Sequence, residues 1–356
     1  MLIYTRMRIN LSGKDLNKVY QLLDNKEINI SIAELLMSIY EEKEFFKGAQ
    51  NTEEYLNKIV EYIGIPASEK EEIEIFKKWQ KSAIYPLKVP SFLNNPYFSS
   101  VKPKSKKIGD YALEYLSYKK DQPLPLDDIQ VSQNEGYLER TPIGYLDDDL
   151  DYLSLSYKGV TWMCITPNEI NTMQPHIDAA KGKVLVFGLG LGYYPFMISL
   201  KDEVKDIYIV ELEQDIINIF KENLLPLFPH KEKIHIIKGD AKEYIQKMDN
   251  SFNTVFIDLW HNPEDGLQLY LYFKQYEKKH PHTKFQYWLE NSLIALYRRY
   301  LLTIIEESLN GYSDKDYRNK KEQLLNDLYF KTKNITLNSY DDVYNLLSDE
   351  SILRLI

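Results

Sequence analysis

A chain of 356 residues is long enough for two domains, or one large domain with an extension, and it can bury a substantial core, so disorder is not the expected state. The formal charge of −9 disfavours nucleic acid as a partner, because gripping a phosphate backbone takes clustered lysine and arginine. A single cysteine, Cys164, excludes an internal disulfide framework and any cysteine-built zinc cluster, and no metal site is expected.

The start, MLIYTRMRINLSGKDL, has an apolar beginning broken by arginine and is neither a signal-peptide core nor a membrane span. No later run approaches spanning length, which predicts a soluble, cytoplasmic protein. From Lys14 to Ser82 apolar residues recur at three and four, as in Leu16, Val19, Tyr20 and Leu23, then Ile32, Leu35, Leu36 and Ile39. Four amphipathic helices fit this spacing, with starts at Asn51-Thr52-Glu53-Glu54 and Ser68-Glu69-Lys70-Glu71. Read functionally, this helical module (1–85) serves substrate recognition or homo-oligomerisation. Read plainly, it covers part of the main domain.

Pro86, Pro90, Pro96 and Pro103, followed by the basic run KPKSKK, predict an exposed connector over 86–126. A small β segment (127–180) follows, in which Tyr157-Lys158-Gly159 separates two strand-like runs as in a hairpin. Pro167-Asn168-Glu169 then opens a helix.

Next comes KVLVFGLGLGYY (183–194), a buried parallel strand that breaks into three alternate glycines, Gly188, Gly190 and Gly192, where the main chain can take left-handed angles and admit a ligand closely. Strands VKDIYIVEL (204–212), KIHIIKGD (233–240) and FNTVFIDLW (252–260) alternate with helices, and KFQYWLE (284–290) supplies a fifth strand. This order predicts a Rossmann-like α/β core over 181–310, with a mostly parallel, doubly wound sheet and ligands outside the carboxyl ends of its strands. The remainder, 311–356, reads as a helical extension without a further strand.

Acidic residues stand at the ends of successive strands. Glu211 follows the glycine loop at about the twenty-residue distance suited to ribose hydroxyls, and Asp240 and Asp258 end the next two strands. Each has a plain alternative as a helix cap or turn residue. The dinucleotide fingerprint G-x-G-x-x-G fails, because Tyr193 or Pro195 stands at its third glycine, and no GKS or GKT phosphate loop is present.

This constellation resembles the class I S-adenosylmethionine-dependent methyltransferase family over roughly Lys183 to Trp260, about a fifth of the chain. The resemblance implies that Gly188, Gly190 and Gly192 pass under the methionine part of S-adenosylmethionine, that Glu211, with Leu212 beside it, holds the ribose, and that Asp240 and the Ala241 backbone meet the adenine. Phe187 departs from the acid that many members carry before the glycines. FNTVFIDLWHNPEDG is also similar to the corresponding segment of the spermidine-synthase-like polyamine synthases, which implies a matching acid at Asp258. Their tyrosine-histidine-glutamate cluster is replaced here by Asn168-Glu169-Ile170-Asn171.

Asp258 and His261 are the candidate catalytic bases, lying where the transferable methyl should point; Asp258 also counts among the cofactor contacts. Trp260, Tyr287, Trp288 and Glu290 share that sheet edge, while Glu264-Asp265 either attracts an amine or caps a turn. The resulting expectation is a methyltransferase acting on a small-molecule or protein acceptor. Its alternatives are a polyamine aminopropyltransferase and a non-catalytic cofactor-binding or interaction protein.

Overall fold

In a computed structural model of the chain, which describes residues 7–42, 44–49, 51–318 and 322–356, the sheet at the centre is all parallel. Its strands are β1 (Gly182–Phe187), β2 (Val204–Glu211), β3 (Ile234–Lys238), β4 (Thr254–Ile257) and β5 (Lys284–Tyr287). Their spatial order is β3-β2-β1-β4-β5. Val184 to Phe187 and all of β4 are buried, as strands covered on both faces must be.

The covering helices are α1 (Pro167–Ala179), α2 (Tyr193–Ser199), α3 (Gln214–Asn223), α4 (Ala241–Lys247), α5 (Pro263–Lys274) and α6 (Glu290–Leu309). Register places Val186 beside Phe256 and Phe187 beside Ile257, so Phe256 and Phe187 face opposite sides. Phe256 stacks on Tyr194 of α2 and lies near His176 of α1, whereas Phe187 packs against Tyr244 of α4 and Phe273 of α5. Helices therefore cover both faces. The chain leaves β1 toward β2 and later returns to β4 on the other flank, which opens a crevice between the carboxyl ends of β1 and β4.

The region before the core differs from the expected connector. Strands Lys106–Ile108, Tyr111–Tyr118, Leu150–Tyr157 and Val160–Cys164 form a four-stranded antiparallel sheet, and Ile84–Leu87, Ile143–Leu146 and Pro123–Pro125 form a three-stranded mixed sheet. The prolines are compatible with this order because of where they fall. Pro90 and Pro96 open short helices, and Pro86 lies in an edge strand, where a missing N–H costs little. Lys106 and Lys107 of the basic run are exposed on an edge strand, where charge discourages further pairing. The expected hairpin is present, with Lys158 and Gly159 both left-handed at its turn.

Among the described residues three N-terminal α-helices stand where four were expected, because Gly13–Ile39 is continuous. Its middle looks polar, yet Lys26 and Asn29 lie on the buried side. Lys26 pairs with Glu306, and Asn29 bonds to the Tyr137 carbonyl and the Glu139 N–H. Asn51 caps the next helix as anticipated, whereas Ser68 does not cap the third, which begins at Lys70. In the C-terminal extension Thr336–Leu337 pairs in parallel with Arg8–Ile9, a strand too short to leave a periodic signal. Residues 1–6, the apolar part of the N-terminal reading, lie outside the described residues. Among the described residues no helix is long and apolar enough to cross a membrane.

Candidate functional site

The glycine loop joins β1 to α2, and its glycines serve different ends. A Cβ on Gly188 would overlap the Asp258 carbonyl oxygen, so this glycine lets the exits of β1 and β4 run side by side. Gly192 caps α2 against Phe220. Gly190, with φ +52°, has no heavy atom within 4 Å of the place a Cβ would occupy, while Leu189 and Leu191 on either side are buried. Main chain is thus open to a ligand at Gly190.

Glu211 ends β2 and is only 9% exposed. One carboxylate oxygen accepts the Leu189 N–H at 3.0 Å and the other the Glu213 N–H at 2.8 Å. The side chain thereby ties the loop to the second strand and retains lone pairs for further donors. Leu212 beside it is 54% exposed, an apolar side chain left uncovered just past the end of β2, and its carbonyl accepts from Lys238. Asp240 takes the capping role at α4, accepting the Lys242 and Glu243 N–H groups on one oxygen at 2.6 and 3.3 Å. Ala241 is the first residue of that helix.

Asp258 follows β4, its N–H donating to the Phe187 carbonyl at 3.0 Å. Glu169, in the first turn of α1, shares its surroundings. Both are half-buried and are desolvated by the surrounding protein. Burial drives the Glu169 carboxyl well above its ordinary range, and the charge of Asp258 pushes it further. Burial raises Asp258 to about 7. Among the described residues no lysine or arginine counters either shift. The pair also reaches its neighbours: burial and then the charge of Glu169 raise the Cys164 thiol to about 12, and burial, with Glu169 adding, raises Tyr193 to about 12.

Glu169 escaped sequence reasoning as a site residue, since it appeared only as part of a segment departing from a motif. Its one signal was a carboxylate in a helix's first turn directly before the glycine strand.

The other candidates have partners of their own. His261 is exposed, and its N–H and Nδ1 both lie against Asp265. Asn262 and Asp265 form a reciprocal cap at the start of α5, so Glu264-Asp265 belongs to a capped helix start. Trp260 is buried and donates to the Trp288 carbonyl at 3.2 Å; Trp288 in turn donates to Thr172 at 2.9 Å. Tyr287 is buried, and Glu290 accepts from Tyr270 and Lys274 at 2.8 and 2.9 Å. Phe187, whose position suggested a missing acid, is a core residue between α4 and α5. Among the described residues no group of three or more His, Cys, Asp and Glu side chains is placed to hold a metal ion.

No model of a known protein family matches the chain, and no curated protein does. Among solved structures it is similar to spermidine synthase from Thermotoga maritima, at 18% identity and a TM-score of 0.31 over 42% of this chain and 58% of that one. A spermidine synthase in complex with the transition-state analogue AdoDATO matches at 17% identity and a TM-score of 0.30, with the same coverage. A putative O-methyltransferase from Klebsiella pneumoniae matches at 19% identity and a TM-score of 0.22, over 26% of this chain and 43% of that one. The matched region thus spans less than two thirds of each of these chains. The Rossmann-like assignment stands on the strand order and parallel register described above.

Proposed function

We propose that the chain is an S-adenosylmethionine-dependent methyltransferase whose acceptor is an amine. The observation that carries this reading is the carboxylate pair Glu169 and Asp258, with the Asp258 main chain packed against Gly188 at the start of the glycine loop. The residues present suit such a donor: Gly190 for close approach, Glu211 with lone pairs to spare for ribose hydroxyls, Leu212 as an uncovered apolar surface for a base, and Asp240-Ala241 beyond it. When bound, the donor supplies a carbon made electrophilic by its sulfonium.

The chain's own part is to hold and deprotonate the acceptor. An amine at neutral pH arrives as an ammonium ion, which an uncompensated carboxylate pair attracts. Asp258, raised to about 7, takes one proton from the ammonium and so frees the nitrogen lone pair, which then forms the N–C bond as the C–S pair leaves with the neutral thioether. Orientation in the crevice contributes through proximity.

One observation favours a second reading, aminopropyl transfer from decarboxylated S-adenosylmethionine. Among the described residues no cation offsets Glu169 and Asp258, so a donor that lacks the amino-acid carboxylate meets less repulsion. Calorimetry with S-adenosylmethionine, S-adenosylhomocysteine and the decarboxylated donor separates the two. Preference for the carboxylated pair supports methyl transfer, and preference for the decarboxylated donor supports aminopropyl transfer. Absence of binding by all three removes both. Binding without label transfer from a methyl-labelled or an aminopropyl-labelled donor to any amine leaves a cofactor-binding protein without turnover.

A further inference from the structure

A segment that precedes the Rossmann-like core in the chain, Asn95-Pro96-Tyr97, packs against the glycine loop and the start of α2. Pro96 opens the short helix Pro96–Ser100, and Asn95 caps it by accepting the Tyr97 N–H at 2.9 Å. This turn drives Tyr97 inward. Its ring meets Tyr193 and Phe196 edge-on, with centroids at 5.4 and 5.3 Å, and its hydroxyl donates to the main-chain carbonyl of Leu191 at 2.7 Å. The Asn95 amide donates to the Tyr193 hydroxyl at 2.9 Å.

The loop is therefore fastened at alternate residues: Leu189 by Glu211, Leu191 by Tyr97 and Tyr193 by Asn95. Gly190 is left open between the first two fastenings. A stretch whose glycines at 188, 190 and 192 all have positive φ has many conformations to lose, and a ligand that had to freeze them would bind less tightly. Glu211 restrains only the first half of the loop.

We infer that Asn95 and Tyr97 are positioning residues, a clamp from outside the core that holds the glycine loop in the shape presenting Gly190 to the donor. This rests on the reading of that loop as the donor site. The clamp also touches the carboxylate pair's surroundings, because the hydroxyl that Asn95 holds belongs to Tyr193, which feels the charge of Glu169.

The test compares the full chain with Tyr97→Phe, which deletes only the hydroxyl, and with Tyr115→Phe, which deletes a tyrosine hydroxyl bonded instead to the Pro103 carbonyl. Hydrogen–deuterium exchange on the ligand-free proteins should show faster exchange over 188–193 in Tyr97→Phe and no change there in Tyr115→Phe. Calorimetry with S-adenosylhomocysteine should show affinity about tenfold weaker in Tyr97→Phe, the scale of one buried hydrogen bond. Unchanged loop exchange in Tyr97→Phe overturns the clamp, whatever happens to the melting temperature. Faster exchange with unchanged affinity overturns its role toward the donor. If the unsubstituted protein binds no adenosyl donor, the donor reading fails instead, and the exchange measurement alone decides whether Tyr97 holds the loop.

Discussion

Glu169, in the first turn of α1, and Asp258, directly after β4, share a desolvated environment, in which burial and then the charge of Asp258 hold Glu169 well above its ordinary range. Two carboxylates so placed resist double ionisation, and a proton stays with the pair at pH values where a free carboxyl has lost its own.

The sign of the pH dependence follows. Asp258 titrates near 4 in the unfolded chain and at about 7 in the folded one, so between these values the native state holds more protons. Stability falls as pH rises through that window, and the full penalty is present above about 7. Asp258→Asn should raise stability at pH 8 by about 1–3 kcal/mol and leave it nearly unchanged at pH 4. Thermal unfolding at the two pH values checks this, and an equal shift at both would show that the carboxylate is not desolvated.

The same substitution should lower turnover by about 10²–10⁴-fold and remove a rise in rate through pH 7, the range for loss of a positioned base. His261→Ala, which deletes an exposed ring bonded to Asp265, should leave turnover within about threefold, since a side chain held in solvent gives little proton-transfer advantage. Rate–pH profiles of both variants, using whichever donor the calorimetry selects, separate the two candidate bases. A large loss in His261→Ala would return that residue to the site.

Glu211→Ala removes the acceptor for Leu189 N–H along with the proposed ribose contact. Donor affinity should fall by about 1–3 kcal/mol, the usual loss for a charged buried hydrogen bond. S-adenosylhomocysteine titration of the folded variant tests the assignment, and unchanged affinity would take Glu211 out of the donor site.

Gly188→Ala and Gly190→Ala should part company. At 188 the new methyl overlaps the Asp258 carbonyl, where neither backbone can yield cheaply, so expression or melting temperature should drop markedly. At 190 there is room, and the left-handed angle alone costs about 1–2 kcal/mol. The 190 variant should therefore fold and bind donor at least tenfold more weakly, about 1.4 kcal/mol, because the methyl fills the place of close approach.

By itself the sequence determined the core. β4 and the carboxyl-terminal halves of β1 and β2 are buried, which calls for apolar runs there, and the glycines and acids at their ends mark one edge of a parallel sheet. Glu211, Asp240 and Asp258 were legible for that reason. Tertiary structure alone decided what each does now: Glu211 ties down a loop, Asp240 caps a helix, and Asp258 meets Glu169. Pairing of that kind joins residues far apart in the chain, and no local periodicity records it. The same holds for Lys26 and Asn29, polar by type yet buried because Glu306, Tyr137 and Glu139 supply partners. It holds too for Tyr97, in a proline-rich stretch that reads as connector until the glycine loop is folded against it. Burial pattern is a local property of sequence. Partnership between polar groups is not, because its free energy depends on which groups the fold brings within hydrogen-bonding reach.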